Sequence, residues 1–240
     1  KKDTQTSPQE TPHSVHKTKL THLVRHALEQ NIQTEEALDR FKKEFAKKEK
    51  IATPGNIEMA RAYEQLLKNS QTPANPAFQK LLQKRKIRSL AGVSVVTVLT
   101  KPFYCPGKCV FCPTEAGMPK SYLSNEPGAM RAVLNDFDPV LQTENRLKSL
   151  KHQGHPTDKI EMIVLGGTFS SYPHPYQTAF IRQLYNALNG THCRRLDDAQ
   201  KHNETAEHRA IALSRETRPD HVTKKELRRF RTLGCTKVQI

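Results

Sequence analysis

Apolar residues in the first third of the chain recur at the spacing of helices. Leu20, Leu23, Val24, Ala27 and Leu28 mark one face, Leu38, Phe41 and Phe45 a second, and Met59, Tyr63, Leu66 and Leu67 a third. Thr34 stands before two glutamates and can cap the second helix, whose first turn favours negative charge. Thr53-Pro54 suits the start of the third, and Asn75-Pro76 opens a shorter fourth that runs into a basic stretch. Residues 1 to about 15 are mostly Lys, Thr, Gln, Pro and Ser, hold too little to bury, and are expected to form a disordered tail.

Near residue 90 the period changes. Val93-Ser-Val-Val-Thr-Val-Leu99 is rich in β-branched residues and reads as a buried parallel strand. A second strand runs over Ile160 to Leu165 and ends at Gly166-Gly167. A short third over Ala210 to Ser214 leads to Glu216-Thr-Arg-Pro-Asp220, and a last begins at Cys235 or Thr236. Helices are predicted over 127–134, 139–153, 176–188 and 223–233, with the polar stretch 189–207 left as a long loop. Alternating strand and helix define the α/β class: a parallel sheet or partial (β/α) barrel preceded by a basic helical module. The expected division is a tail over 1–15, the helical module over 16–89, and the α/β domain over 90–240. In such folds the site lies at the carboxyl ends of the strands, where the loop after the first strand, the glycine pair and the Glu-Thr-Arg-Pro-Asp turn all fall.

The chain has 240 residues, and none of its apolar runs approaches the ~18 residues of a membrane helix. No signal pattern opens it, so no membrane association and a cytoplasmic location are expected. It begins without methionine and stops on the apolar Val238-Gln-Ile240, which reads as a piece of something longer. Net charge is +15, and no acidic residue lies between Glu64 and Glu115. That stretch carries Lys68, Lys80, Lys84, Arg85, Lys86, Arg88, Lys101 and Lys108. A solvated surface is one explanation; a polyanion such as nucleic acid, held beside the following loop, is the preferred one. Lys84, Arg85, Lys86, Arg88, Lys101 and Lys108 are the candidate nucleic-acid contacts.

That loop holds the strongest chemical signal. Cys105, Cys109 and Cys112 stand as C-x3-C-x2-C, three of five cysteines in the chain. An odd count with three clustered points to metal ligation in a reducing compartment rather than to disulfides. Three thiolates offered to a cubane iron–sulfur cluster leave one iron open to a substrate or cofactor, whereas structural zinc wants four ligands. No further Cys or His lies in the loop from Phe103 to Pro139, although Cys193 or Cys235 could complete a zinc site; inert thiols are the remaining alternative. Cys235 reads as a small core residue. Gly166-Gly167-Thr168 either makes a turn or lets a ligand with amino and carboxylate groups approach the backbone. Glu216 and Arg218 are a surface pair or a binding pair. The eleven histidines are scattered, and none forms the i, i+4 pair of a zinc protease.

The C-x3-C-x2-C motif after a first strand resembles the signature of radical S-adenosylmethionine enzymes. Ser121-Tyr-Leu-Ser-Asn-Glu-Pro-Gly-Ala-Met-Arg-Ala132, Gly154-His-Pro-Thr-Asp-Lys159, Gly166-Gly-Thr-Phe169 and Glu216-Thr-Arg-Pro-Asp220 follow in that order. Together they resemble the catalytic subunit of Elongator and its stand-alone prokaryotic relatives, closely over about 85–240 and loosely before that. The resemblance implies a tRNA enzyme that carboxymethylates carbon 5 of the wobble uridine in the anticodon. It implies that Cys105, Cys109 and Cys112 ligate a 4Fe-4S cluster, that S-adenosylmethionine binds the free iron, and that its reductive cleavage activates an acetyl group from acetyl-CoA. Gly166 and Gly167, with Thr168 and Glu216, would meet S-adenosylmethionine, and Lys159 would contact acetyl-CoA. Partners implied are the tRNA anticodon region, an external electron donor, and Elongator-type subunits or a second copy. The chain departs from the family at Thr114-Glu115, where two glycines are usual, and at Arg215, where an apolar residue is usual. It also stops where the family continues, so the 240 residues alone are expected to be poorly active. A methylthiotransferase acting on RNA and a non-enzymatic zinc-stabilised RNA-binding module are the rival readings.

Overall fold

The computed structural model describes residues 12–83 and 86–240, with side chains described from residue 18 onward except at residue 86. Nine α-helices and a four-stranded parallel sheet are present among the described residues. They fall into two compact units, one of residues up to Lys86 together with 152–155, the other of Ile87–Lys151 and Pro156–Ile240.

The first unit is all helix: α1 Pro12–Glu29, α2 Glu35–Glu49, α3 Asn56–Lys68 and α4 Pro76–Leu82. Of the tail expected over 1–15, residues 1–11 lie outside the described residues, while 12–15 already belong to α1; Pro12 supplies a first helical residue whose missing N–H costs nothing there. Thr34 caps α2 by accepting from Ala37 N at 3.2 Å. The third helix starts later than Thr53-Pro54 suggests, because Glu58 Oε2 accepts from Gly55 N at 2.8 Å and satisfies an orphan donor there. Asn75 caps α4 by accepting from Phe78 N at 3.0 Å. Leu23, Val24, Leu38, Met59, Leu66, Phe78 and Leu82 close one apolar core.

The second unit alternates β1 Ser94–Leu99, α5 Pro127–Val133, α6 Pro139–His152, β2 Lys159–Leu165, α7 His174–Asn189, α8 Leu196–Asn203, β3 Arg209–Glu216, α9 Lys224–Thr232 and β4 Lys237–Gln239. The strands lie in sequential order β1-β2-β3-β4, all parallel. The crossovers between sequential neighbours lay α6 and α7 on one face of the sheet, as in the winding of a (β/α) barrel. Val96, Val98, Ile160, Met162, Val164 and Leu213 point to that face and pack on Leu147, Leu150, Phe180, Ile181, Leu184 and Leu188. The α/β expectation is met. One element was not foreseen: α8 occupies the stretch read as a loop. It is held by few apolar side chains, Leu196 and Ala199, and by Asn189 Nδ2 donating to Ala199 O at 2.8 Å. A polar octet with two buried apolar residues carries too little periodicity to be seen without its partner α7.

Two buried polar groups shape the sheet. Gln142 on α6 donates from Nε2 to Leu99 O and accepts at Oε1 from Leu99 N, both at 2.9 Å, so a side-chain amide pairs the last residue of edge strand β1. Gln142→Leu orphans both backbone groups and is expected to cost about 2 kcal/mol, read by urea denaturation. Arg215 is fully buried between the rings of Phe169 and Phe230, 4.2 and 3.8 Å from its guanidinium carbon. None of its three guanidinium nitrogens has a hydrogen-bond partner. Burial pushes its pKa down to about 10, with Cys235 and Glu226 offsetting part of that. The flat, weakly hydrated guanidinium thus substitutes for an apolar side chain between two aromatic faces. Cys235 is half-buried, its thiol facing Lys237 O at 3.0 Å rather than sitting in the core. No helix among the described residues is long and apolar enough to cross a membrane.

Candidate active site at the carboxyl rim

Where β1 ends, Thr100 N still donates to Leu165 O at 3.0 Å, and the chain then leaves the sheet. An aromatic column braces the departure: Phe103 stacks on Tyr172 at 4.8 Å and Tyr172 on Tyr176 at 5.0 Å. The Tyr172 hydroxyl donates to Lys101 O at 2.7 Å and meets Thr100 Oγ1 at 2.8 Å. Burial pushes the Tyr172 pKa up to about 12, so it stays a neutral donor.

The loop that follows brings all three motif cysteines to one cavity of about 260 Å³ at the carboxyl ends of β2, β3 and β4, lined also by Ser121, Gly167, Thr168, Glu216 and Arg218. Each thiol faces a different group. Cys105 Sγ lies 3.3 Å from Thr168 Oγ1, Cys112 Sγ lies 2.9 Å from Ser121 Oγ, and Arg218 Nη1 donates towards Cys109 Sγ at 3.7 Å. Arg218 is itself clamped by Asp220 through Nε at 2.9 Å and Nη2 at 2.8 Å. Burial pushes the Cys105 thiol up, but the Thr168 hydroxyl, the Gly107 and Thr168 amides and the Arg218 charge outweigh it and favour the thiolate. Gly107 leaves the space that the Arg218 guanidinium fills.

Glu216, the last residue of β3, ties the rim together. Its Oε1 accepts from Tyr122 Oη at 2.6 Å, and its Oε2 accepts from Gly166 N at 3.3 Å. Burial and the Glu216 carboxylate both drive the Tyr122 pKa upward, keeping the proton on the phenol. Tyr122→Phe removes this short bond to a charged acceptor and is expected to cost about 2 kcal/mol, checked by thermal denaturation. Glu216 and Arg218 do not pair with each other: one turns to the glycine turn, the other to Cys109.

The cavity therefore unites Cys105, Cys109, Cys112, Gly167, Thr168 and Glu216, with Gly166 forming the adjoining turn. Lys159 is elsewhere, exposed at the amino end of β2, roughly 20 Å of strand from Gly166 at ~3.3 Å per residue. Lys84 and Arg85 lie outside the described residues, and Lys86 only begins a short 3-10 turn that also holds the exposed Arg88. Lys101, its ammonium over the Tyr176 ring at 5.0 Å, and Lys108 are exposed on the loop itself. Ser121 and Tyr122 were missed as site residues, although they open the longest matched motif.

A 4Fe-4S cluster fits the donor set here, three thiols with no histidine on the lining. The thiols are not drawn together: among the described residues no three Cys, His, Asp or Glu side chains are gathered as a metal-holding group.

A parallel α/β sheet carrying a three-cysteine loop on its carboxyl rim is the class of protein this fold and site define. Comparison with known proteins gives that class its relatives. No family model matches the chain. It is 46% identical over 166 residues to the tRNA uridine(34) acetyltransferase of Methanocaldococcus jannaschii, covering 67% of this chain and 31% of that protein. It is 35% identical over 213 residues to Elongator complex protein 3 of Dictyostelium discoideum, covering 84% and 37%, and 38% identical over 180 residues to the Homo sapiens protein of that name, covering 69% and 33%. A solved structure of the archaeal Methanocaldococcus infernus Elp3 with N-terminus deletion (1-46) is 39% identical, covers 61% of this chain and 28% of that one, and superposes with a TM-score of 0.49. The chain is thus a homologue of the tRNA uridine(34) acetyltransferases and Elongator complex protein 3, and spans about a third of their length.

Proposed function

We propose that the chain forms the cysteine-loop part of a radical S-adenosylmethionine enzyme that modifies the wobble uridine of tRNA. The observation that carries this reading is the placing of Cys105, Cys109 and Cys112 on one cavity with the glycine turn and Glu216. The names of the relatives, which specify uridine 34 of tRNA and acetyl transfer, support the substrate class. The finer reading is that acetyl-CoA supplies the two-carbon unit and that 5-carboxymethyluridine is the product.

In this reading the three cysteines hold a 4Fe-4S cluster, which supplies one-electron chemistry on S-adenosylmethionine when both are bound. Thr168, Ser121 and Arg218 donate toward the three sulfurs, spreading negative charge that three thiolates in one cavity would otherwise concentrate. Gly167 lets a ligand reach the backbone at the rim. Glu216 holds the Gly166 amide and offers a carboxylate beside any ammonium group placed there. The basic surface, including Lys101 and Lys108 on the loop, holds phosphates of the tRNA, whose single-stranded anticodon bases can be splayed toward the cavity. Lys159, at the opposite end of β2, contacts acetyl-CoA in this scheme. An electron donor is required; Elongator-type subunits or a second copy are the expected partners, and the cytoplasm the expected location.

The test is anaerobic reconstitution followed by metal analysis and an assay for 5′-deoxyadenosine with and without tRNA, using a protein of the relatives' length. About four irons per chain and tRNA-stimulated cleavage are expected. A colourless protein holding zinc would replace this reading with a zinc-stabilised RNA-binding module.

A further inference from the structure

A second concentration of positive charge lies away from the cysteine cavity, on the outer helices α7, α8 and α9. Helix α9, Lys-Lys-Glu-Leu-Arg-Arg-Phe-Arg-Thr, holds five basic residues in nine and buries only Phe230. Arg229 fixes it to α7, donating from Nε to Gln177 Oε1 at 3.1 Å and from Nη2 to His174 O at 2.9 Å and Thr178 Oγ1 at 3.2 Å. Arg182 on α7 donates from Nη1 to Cys193 O at 2.9 Å, tying α7 to the segment before α8. Both side chains are half-buried, and every one of these partners is neutral. The two guanidiniums are thus held in place without being neutralised.

Two cavities open along this seam. One of about 590 Å³ is lined by Arg182, Arg194, Arg195 and Arg229. The other, about 440 Å³, adds Lys225 and Arg228 and shares His174, Arg229 and Thr232 with the first, so the two form one groove. From His174 to Arg182 it follows α7 for roughly 12 Å, at ~1.5 Å per residue. The acids on its walls are Asp197 and Glu226. Asp197 Oδ2 pairs with Arg195 Nη2 at 3.3 Å, and Glu226 turns Oε1 into the interior, where it has no hydrogen-bond partner. Among the described residues, none of the other five cations of the groove pairs with a carboxylate. One end lies at the functional rim: Tyr176 Oη, in the same turn of α7 as His174, accepts from Lys101 N at 3.2 Å.

Cations gathered along a groove with so little opposing charge attract a polyanion, and planar guanidinium forks match phosphate oxygens. No Phe, Tyr, Trp or Met lines either cavity. The centre of a protein–protein contact is ordinarily anchored by such side chains, whereas a sugar-phosphate backbone is held by charge neutralisation alone. We propose that the α7–α8–α9 groove holds the sugar-phosphate backbone of the bound RNA, as a contact surface separate from the cysteine loop. Its occupant rests on the tRNA reading above; its charge and shape do not. An acidic protein segment is the competing occupant, and the experiment separates the two.

In a protein of the relatives' length, the parent is compared with Arg194→Gln/Arg228→Gln and with the charge-matched control Lys148→Gln/Lys201→Gln. Arg194 and Arg228 are exposed, so their loss leaves the packing of Arg182 and Arg229 in place. Lys148 and Lys201 are exposed and line neither cavity. Labelled tRNA transcript and labelled poly-L-glutamate are each titrated by fluorescence anisotropy at several salt concentrations. The groove variant is expected to lose tRNA affinity by on the order of tenfold at low salt, with a salt slope flatter by roughly one per lost phosphate contact. The control should lose far less, and poly-L-glutamate should bind all three weakly. Arg194→Lys/Arg228→Lys keeps the charge and should retain most of the affinity; a loss equal to that of the glutamine pair marks a structural effect and overturns the proposal. Parental tRNA affinity in the groove variant, or an equal loss in the control, overturns it while leaving the tRNA reading intact. Tight poly-L-glutamate binding that depends on Arg194 and Arg228 when tRNA binding does not assigns the groove to an acidic protein segment instead. A parent that binds no tRNA overturns both this occupant and the tRNA reading.

Discussion

In the proposed radical S-adenosylmethionine reading, Cys109→Ser in a protein of the relatives' length is expected to drop iron from about four per chain to well below one, and to cut S-adenosylmethionine cleavage at least about 10³-fold. A set of three thiolates has no spare ligand, and no histidine lines the cavity to replace one. Cys109 is also the exposed member of the three, so its substitution disturbs little packing. Its loss should therefore leave the melting temperature of the metal-free protein unchanged while abolishing metal uptake. Arg218→Gln gives the graded comparison: its guanidinium reaches Cys109 Sγ at 3.7 Å, and its removal should cost roughly 10–100-fold without emptying the site. Both are read by iron analysis and by 5′-deoxyadenosine formation. Full iron and full rate in Cys109→Ser would refute the assignment of the cavity.

Gly166→Ala is expected to destabilise the second unit by about 4 kcal/mol, the sum of a backbone forced out of its region and a methyl group with nowhere to go. Gly166 has φ +134°, and a Cβ there would run into Thr100 Oγ1 and lie 3.2 Å from Thr100 Cβ. Thr100 cannot give way, because Leu165 O and the Tyr172 hydroxyl hold it. The amide of Gly166 would also leave Glu216, loosening Tyr122. At this chain length the loss corresponds to roughly 10 °C in melting temperature. Gly92→Ala serves as control: φ is +74°, but nothing lies within 4 Å of its Cβ, so only about 1 kcal/mol is expected.

The positions of the four strands and of most helices were legible because each has enough apolar residues at its own period. Val93 to Leu99 and Ile160 to Leu165 could hardly be anything but buried strands. α8 was not legible, since its two buried apolar residues mean nothing until α7 lies against them. Within the site, the cysteine spacing and the glycine pair announced themselves. The partners of the thiols did not: Ser121, Thr168 and Arg218 come from three separate segments, and only the fold brings each to a different one of the three sulfurs. Arg215 showed the limit of residue-type reasoning, because a guanidinium in an apolar position looks like a conflict until two rings flank it.

The amino-acid sequence by itself determined the alternation of strand and helix, the loop that bears three thiols, and the excess of positive charge, because each is a local pattern along the chain. Which groups meet was decided only by tertiary structure: Glu216 with Tyr122 and Gly166, and Gln142 with Leu99. Those meetings depend on crossover handedness and side-chain packing across more than forty residues in the Gln142–Leu99 case, and no short-range pattern encodes such distances.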